Sequence, residues 1–369
     1  MRRGLMCLSG HNHRAVVALA RWATATGVPL HLVGSGRDDP LALTDHGQHI
    51  FVQRESLALD LPETCAWIGA LRDRHGYDRV VIAPSTEFFN RFLLRHRRDI
   101  EAAGGIVPLV DEALYARVSD KQAFAELCAA NGIAVPAVFD ALPRRAPFVA
   151  KPRRYCGADG RQLKPRLVGT EAEREAFVRD GSGSDYFFQE WVEGQSLYLL
   201  AHLARDGRAT LSAQENLMQQ GGGGSIVLAR AHDFHREADA GPYLRLLRGI
   251  GFHGLVMIEV RRCARSGRAV MIEANPRMWG PQQFMLDRGV DPFEPLFADH
   301  GIDVARHWQS SGQGHFYFWS GGLSPRHGTC TFHGYTAQQF VADYVAVAAA
   351  DLFARPDSLR LHRQELNAA

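Results

Sequence analysis

The N-terminal third of the chain alternates short apolar runs with longer segments in which apolar residues recur at helical spacing. The apolar run GLMCLSG is followed by the helical pattern HNHRAVVALARWATATG and by a second apolar run, VPLHLVGSG. The order continues with CAWIGALRDRHG, DRVVIAPS and TEFFNRFLLRHRRDIEAAG. Buried strands that alternate with helices are typical of a parallel sheet covered by helices. Residues 1–115 are therefore predicted to form a doubly wound α/β domain, without the G-x-G-x-x-G loop of dinucleotide-binding proteins.

The pattern changes after Ser119, where antiparallel elements become frequent. The segment SDKQAFAELCAANG has a capping residue at its start and ends at Gly132, as an independent helix does. Strand patterns follow in IAVPAVFDA, APFVAKP and SDYFFQEWVEG, with one helix, TEAEREAFVRD, among them. Two hairpins come next, the first turning at Asp206-Gly207 and the second joining GFHGLVMIEVRR to GRAVMIEANP. This succession predicts antiparallel sheets after the doubly wound domain.

Two further segments complete the chain. Four consecutive glycines, Gly221–Gly224, interrupt a strand pattern that IVLARA resumes at once, which predicts a mobile flap rather than a linker. A helix is predicted near residues 238–250. Beyond residue 300, GHFYFWSGG is strand-like and TAQQFVADYVAVAAADLFA is an apolar helix.

Composition and charge narrow the classes of function. The chain is 46% apolar and 22% charged, as ordinary globular proteins are, and its net charge of +2 is too small to hold a nucleic acid backbone. No apolar run approaches the roughly 18 residues of a membrane span, and the N-terminal apolar stretch is too short for a signal peptide. Six Cys without C-x-x-C spacing argue against a disulfide framework or a zinc ribbon. We therefore expect a soluble cytoplasmic protein with neither nucleic acid nor membrane as a partner.

The second hairpin carries the strongest chemical pattern. With its turn at Arg265-Ser266, Glu259 lies opposite Ile272 or Glu273, depending on the loop register. Facing carboxylates repel each other, and a divalent cation between them would remove the repulsion. Asn275 shares a strand face with Glu273, and three oxygen ligands favour Mg²⁺ over zinc. The alternative is an exposed hairpin with solvated Glu side chains, but the flanking VMIEV and VMIEANP are too apolar for that.

Cationic residues near this hairpin are candidates for phosphate or carboxylate binding. Arg277 could grip a carboxylate or a transferred phosphoryl group, or it could merely neutralise the Glu pair. Among 42 Lys and Arg, Lys occurs only at 121, 151 and 164, which favours positions where a compact ammonium is needed, although chance remains an alternative. For His11 and His13, which follow the first strand, substrate contact and a solvated or helix-capping role both stay open.

Together these motifs resemble the ATP-grasp superfamily over roughly residues 115–285. The resemblance rests on SDKQAFAELCAANGIAVPA, on FVAKP with a glycine-containing loop after it, on FFQEWVEG, and on GFHGLVMIEV with MIEANPRMWG, in this order. One departure is the basic stretch Arg261-Arg262 with Cys263, where many relatives carry an acidic residue.

The resemblance implies a role for individual residues. Lys121 and Lys151 correspond to the lysines that bind nucleotide phosphates, and Arg277 to the arginine that orients the acyl acceptor of phosphate. The phosphate-covering lid corresponds to the loop containing Gly157 and Gly160, within residues 153–166. The ligands of Mg²⁺, with Mn²⁺ as an alternative ion, correspond to Glu259, Glu273 and Asn275. The segment that reads the adenine edge and the ribose corresponds to Gln189, Glu190, Trp191, Val192 and Glu193.

The implied architecture is a doubly wound domain (1–115), a first ATP-grasp lobe with the lid (116–187), a second lobe with the metal site (188–295) and a C-terminal extension (296–369). The implied reaction uses ATP to convert a carboxylate to an acyl phosphate, which a small-molecule amine or similar nucleophile then attacks, releasing ADP and phosphate. The alternatives are an ATP-grasp phosphotransferase and a non-catalytic ATP-binding regulatory protein. A homodimer is left open.

Overall fold

The N-terminal part is built on a parallel five-stranded sheet. The computed structural model describes residues 2–56, 58–153, 163–310, 312 and 314–367. The strand order is β3-β2-β1-β4-β5, with the chain leaving β1 to one side and returning to the other. The strands are β1 (Arg3–Leu8), β2 (Leu30–Gly34), β3 (Ile50–Gln53), β4 (Arg79–Ala83) and β5 (Gly105–Ile106). The helices that accompany them are α1 (His13–Thr26), α2 (Leu61–His75), α3 (Glu87–Arg95) and α4 (Arg97–Ala102). The predicted doubly wound arrangement is confirmed.

The carboxyl ends of β1 and β4 border the crevice in which doubly wound domains hold ligands. Here Asn12 donates from Nδ2 to the carbonyl oxygens of Ser85 and Met278, each at 3.1 Å. The backbone N of Met278 in turn donates to Pro84 O at 3.1 Å. The crevice thus anchors the chain segment that follows the second hairpin and places it against the N-terminal sheet.

A four-stranded antiparallel sheet in the order β6-β9-β7-β8 follows two helices. The elements are α5 (Glu112–Ser119), α6 (Lys121–Ala130), β6 (Val138–Phe139), β7 (Phe148–Pro152), β8 (Arg166–Val168), α7 (Glu171–Arg179) and β9 (Tyr186–Glu190). Strand alternation separates its faces. Phe148, Ala150 and Phe188 join a small core with α7, so Val149 and Lys151 lie on the opposite face. The predicted boundary at 187/188 falls inside β9.

A seven-stranded sheet forms the largest layer, in the order β14-β13-β10-β11-β12-β15, with β16 paired to β11. Its strands are β10 (Gly194–Leu203), β11 (Ala209–Gln219), β12 (Ile226–His232), β13 (Gly254–Cys263), β14 (Ala269–Asn275), β15 (Phe316–Phe318) and β16 (Thr331–Phe332). The associated helices are α8 (Gly241–Gly249), α9 (Gln282–Asp287) and α10 (Phe293–Ala298). Both predicted hairpins are present as antiparallel pairs.

The C-terminal segment is integrated into the rest of the chain. Besides β15 and β16 it contributes α11 (Ala337–Ala349) and α12 (Leu359–Asn367). Glu365 on α12 accepts hydrogen bonds from His13 at 3.1 Å and from the indole N–H of Trp319 at 2.8 Å. Arg14 lies over the Trp319 ring, 4.1 Å from its centroid. His13 therefore ties the chain ends together, whereas His11 is exposed. None of the described helices combines the length and apolarity needed to cross a bilayer.

Candidate active site

A cleft of about 590 Å³ lies between the four-stranded and seven-stranded sheets. Val149 and Leu167 line it from the four-stranded sheet, and Gln195 and Ile272 from the seven-stranded sheet. Eight of the residues to which the resemblance assigns a binding role also line it: Lys151, Gln189, Glu190, Trp191, Val192, Glu193, Glu259 and Glu273. Strand alternation explains this placement on the smaller sheet, because the cleft face of β7 is the one that does not enter its core.

The segment Trp191–Glu193 connects the two sheets at one end of the cleft. It is followed by Gly194, whose φ of +141° is rarely adopted by residues with a side chain. A Cβ at this position would lie 1.9 Å from the carbonyl oxygen of Arg262 on the paired strand. Glycine is therefore required for the connector to enter β10 so close to β13. Gln189 is 1% exposed, and no partner for its Oε1 is found in the described part of the chain.

Glu259 and Glu273 are direct cross-strand partners, so the register resolves in favour of facing carboxylates. A β-bulge follows between Glu259 and Val260 on the β13–β14 ladder. Burial raises the pKa of Glu259, and the negative charge of Glu273 raises it further. The two carboxylates of the hairpin are thus partly buried rather than solvated.

Two side-chain cations offset this acidic pair. The ammonium of Lys121, the first residue of α6, donates to Oε2 of Glu273. Burial alone would raise the pKa of Glu273, but the charge of Lys121 and its hydrogen bond lower it to about 2. On the other carboxylate, Arg261 Nη2 lies 3.5 Å from Glu259 Oε1. Lys121 and Arg261 thus supply positive charge beside the two carboxylates, and the metal predicted between them stays a prediction.

Lys151 lies beside this group but is not ion-paired with it in the described residues. Its ammonium donates to the backbone oxygen of Ile272 at 2.7 Å, and only 4% of the residue is exposed. Burial and the positive charge of Lys121 lower the pKa of Lys151 to about 8, against the attraction of Glu273 and Glu259. A desolvated ammonium with one neutral acceptor is a ready partner for an anion entering the cleft.

Asn275 and Arg277 extend the network away from the cleft. Asn275 donates from Nδ2 to Glu273 Oε1 at 2.8 Å, and its Oδ1 accepts from Arg277 at 3.3 Å. Arg277 also donates to Met278 O at 2.9 Å, in the segment held by the N-terminal crevice. Neither residue is among the described residues that line the cleft. The structure thus connects Lys121, Glu273, Asn275 and Arg277 through consecutive hydrogen bonds.

The donor set suits a hard divalent cation. Two facing carboxylates and a neighbouring amide are typical Mg²⁺ ligands, with phosphate oxygens and waters completing the shell. No cluster of three or more His, Cys, Asp or Glu suited to a metal occurs in the described ranges, so the protein alone offers few charged ligands. A cation that used both carboxylates would share Glu273 with the Lys121 ammonium or replace it there.

Several cleft residues escaped the sequence analysis. Gln219 ends β11, and His333 follows β16, which pairs with Gln219. Arg261 also lines the cleft, although in the sequence it is only a departure from the expected pattern. A further lining residue is the buried Glu215, which pairs with Arg230 at 2.6 Å. Alternation along β13 puts Arg261 on the face of Glu259 and could have identified it. No local signal could reveal His333, because its place depends on pairing between distant segments. Gly222 and Gly223 line the cleft, whereas Gly157 and Gly160 lie outside the described residues.

Solved structures with a similar fold include several enzymes. The biotin carboxylase domain of Hydrogenobacter thermophilus 2-oxoglutarate carboxylase, in complex with MgADP, ADP and bicarbonate, is 14% identical over 85% of this chain and 72% of its own, with a TM-score of 0.58. Biotin carboxylase of Campylobacter jejuni, in a β-γ-ATP complex, is 15% identical over 81% and 71%, with a TM-score of 0.58. N5-carboxyaminoimidazole ribonucleotide synthetase of Thermus thermophilus is 17% identical over 81% and 79%, with a TM-score of 0.56.

Sequence comparison adds nothing to these structural matches. No protein-family profile matches the chain. No curated protein matches it either. At identities of 14–17%, the structural similarity bears on the fold. This chain therefore has the ATP-grasp fold, as the order of its motifs indicated.

Proposed function

We propose that this protein is an ATP-dependent ligase that activates a carboxylate as an acyl phosphate and joins it to an amine. The observation that carries the proposal is the grouping of Glu259, Glu273 and Lys151 in the cleft between the two sheets, with Lys121 donating to Glu273. Paired carboxylates and lysines match the needs of a metal-bound triphosphate. The fold neighbours that bind ADP, MgADP or ATP support this choice of nucleotide.

In the proposed complex the base lies against the connector and the phosphates reach the acidic pair. Gln189, whose buried Oε1 has no partner in the described chain, and the backbone of Trp191 and Val192 would read the base. Lys151 would bind phosphate, and Lys121 would move from Glu273 to phosphate when Glu259, Glu273 and Asn275 hold Mg²⁺. The bound cation would neutralise charge on the phosphoryl oxygens.

The proposed chemistry needs positioning rather than a protein nucleophile. A substrate carboxylate oxygen attacks the γ-phosphorus, the bond to the β–γ bridging oxygen breaks, and ADP leaves with the electron pair. The amine nitrogen then attacks the acyl carbon and expels inorganic phosphate, while its proton passes to solvent. Arg277 would face the carboxylate, because its contacts with Asn275 and Met278 hold it between the acidic pair and the N-terminal crevice.

Hydroxylamine trapping tests the proposal without knowledge of the natural amine. Small carboxylates are incubated with Mg-ATP and hydroxylamine, and hydroxamate, ADP and phosphate are measured. A ligase forms hydroxamate with one carboxylate class, and Glu273→Gln abolishes it, whereas Glu175→Gln on the exposed face of α7 does not. A stable phosphorylated product that hydroxylamine does not trap would instead indicate a phosphotransferase. Nucleotide binding without turnover on any carboxylate would indicate a binding protein.

A further inference from the structure

Arg261 presents a partly satisfied cation to the cleft. It lies two residues from Glu259 on β13, lines the cleft, and its side chain is only 14% exposed. Within the described chain its guanidinium makes two polar contacts, the 3.5 Å approach to Glu259 and one of 3.1 Å to Nδ1 of His333. A guanidinium has five N–H donors. The remaining donors are therefore available to a ligand in the cleft.

His333 can hold Arg261 only as a neutral imidazole of one tautomer. Arginine is always a donor, so Nδ1 of His333 must accept, and Nε2 must carry the proton. That Nε2 lies 3.1 Å from Gln219 Oε1, which accepts its hydrogen bond. The backbone N of His333 donates to Leu217 O at 3.0 Å. Two contacts with β11 thus fix the imidazole that orients Arg261.

The position of Arg261 along β13 indicates which part of a nucleotide it would meet. Cys263 pairs with Gly194 at the connector end, and Glu259 pairs with Glu273 at the acidic end. Arg261 lies midway, about 7 Å along the strand from each. If the base of a nucleotide lies at the connector and its terminal phosphate at the acidic pair, its α-phosphate lies near Arg261.

Resting on the proposed function, we infer that Arg261 binds the α-phosphate of the nucleotide and that His333 is its positioning residue. A planar guanidinium suits a phosphate with two free oxygens. The contact would bind a nucleoside monophosphate even without a divalent cation. The C-terminal segment would then contribute to nucleotide affinity through a residue that does not itself touch the ligand.

Calorimetric titration with adenosine, AMP and ADP in EDTA tests this assignment on the full chain. Arg261→Leu is expected to weaken AMP and ADP about ten- to a hundredfold, the range of a charge-assisted hydrogen bond, and to leave adenosine unchanged. His333→Leu should weaken AMP less, and His333→Gln, which keeps a neutral acceptor, should restore most of the loss. Arg268→Leu, an exposed position in the same hairpin turn, controls for net charge.

Other outcomes would overturn the inference in distinct ways. Equal weakening of adenosine and AMP would place Arg261 on the base or ribose, and unchanged affinities would remove it from the nucleotide site. If His333→Gln weakened AMP binding as much as His333→Leu, the positioning role of His333 would be contradicted. If Arg261→Leu did not fold, Arg261→Lys would replace it in the test. Weaker AMP binding is expected for this variant because lysine lacks the paired N–H donors of the guanidinium. Absence of any adenosine, AMP or ADP binding by the unaltered protein, with Mg²⁺ as well, would reject the proposed function and this inference with it.

Discussion

The ammonium of Lys121 donates to the carboxylate of Glu273 across 152 positions of the chain. Both side chains are about one-fifth exposed. Burial lowers the pKa of Lys121, but the charge of Glu273, its hydrogen bond and the charges of Glu87 and Glu259 together outweigh burial and raise that pKa above its ordinary value. The pair joins the start of α6 to β14. The pair thus adjoins the position at which the proposed metal would bind.

Glu273→Gln should lower the free energy of unfolding by about 1–3 kcal/mol in the absence of nucleotide, because Lys121 loses its partner in a partly buried place. The double variant Lys121→Met/Glu273→Gln should lose less than the sum of the two single changes. Urea denaturation of the four proteins measures this coupling. The stabilisation conferred by Mg-ATP should disappear wherever Glu273 is changed. Additive losses, with undiminished stabilisation by Mg-ATP, would contradict both roles of Glu273.

Lys151 should make nucleotide affinity depend on pH. Burial first, and then Lys121, lower its pKa from 10.5 to about 8. A bound phosphate favours the ammonium, so we expect ADP affinity to fall as the pH rises above 8 and binding at a pH of about 8.5 to take up protons. Titration in two buffers of different ionisation enthalpy measures that uptake, which Lys151→Met should abolish.

The same shift in the pKa of Lys151 has a consequence for stability with the opposite sign. Between about pH 8 and 10.5 the unfolded chain binds more protons at this residue than the folded chain does. The contribution of Lys151 to the free energy of unfolding therefore increases with pH across that window. Below pH 8 the buried charge lowers stability by a constant amount. If the free energy of unfolding of Lys151→Met increased with pH across this window as steeply as that of the parent protein, the assignment would be contradicted.

His202 should make the protein sensitive to acid. It is 1% exposed, neither ring nitrogen has a hydrogen-bond partner in the described residues, and burial lowers its pKa from 6.5 to about 4. As the pH falls from 6.5 to 4 the unfolded chain takes up the proton, and stability decreases by about 3 kcal/mol at pH 4. His202→Leu should flatten this decrease in urea titrations. The exposed His307, whose hydrogen bond to Glu294 raises its pKa, offers His307→Leu as a control without that effect.

Gly194→Ala should disrupt the connector between the two sheets. The change combines a φ of +141° with a Cβ that meets Arg262 O, and we expect a loss of more than about 2 kcal/mol. Gly207→Ala is the matched control, since Gly207 also has a positive φ, +86°, but no atom lies within 4 Å of its added Cβ. Thermal unfolding of both variants separates the backbone strain from the steric clash. Equal losses would show that the approach to Arg262 is unimportant.

Local patterns in the sequence were sufficient for most elements and for the acidic pair. Alternation identified β13 and β14 and placed Glu259 and Glu273 on one hairpin. The sequence left open whether Ile272 or Glu273 faces Glu259, and the register in the structure resolves this in favour of Glu273. The connector could likewise be located between two strand patterns. Binding of nucleotide and metal by these residues stays a prediction.

The sequence by itself determined the order of elements, the faces of the strands and the placement of two carboxylates on one hairpin, because the period of side chains along a backbone is a local property. Only the tertiary structure decided that Lys121 neutralises Glu273, that the crevice of the first sheet holds Met278, and that His333 orients Arg261. These contacts join segments far apart in the chain. Periodicity does not specify which distant strands pair or where a long side chain ends, since both depend on packing of the whole molecule.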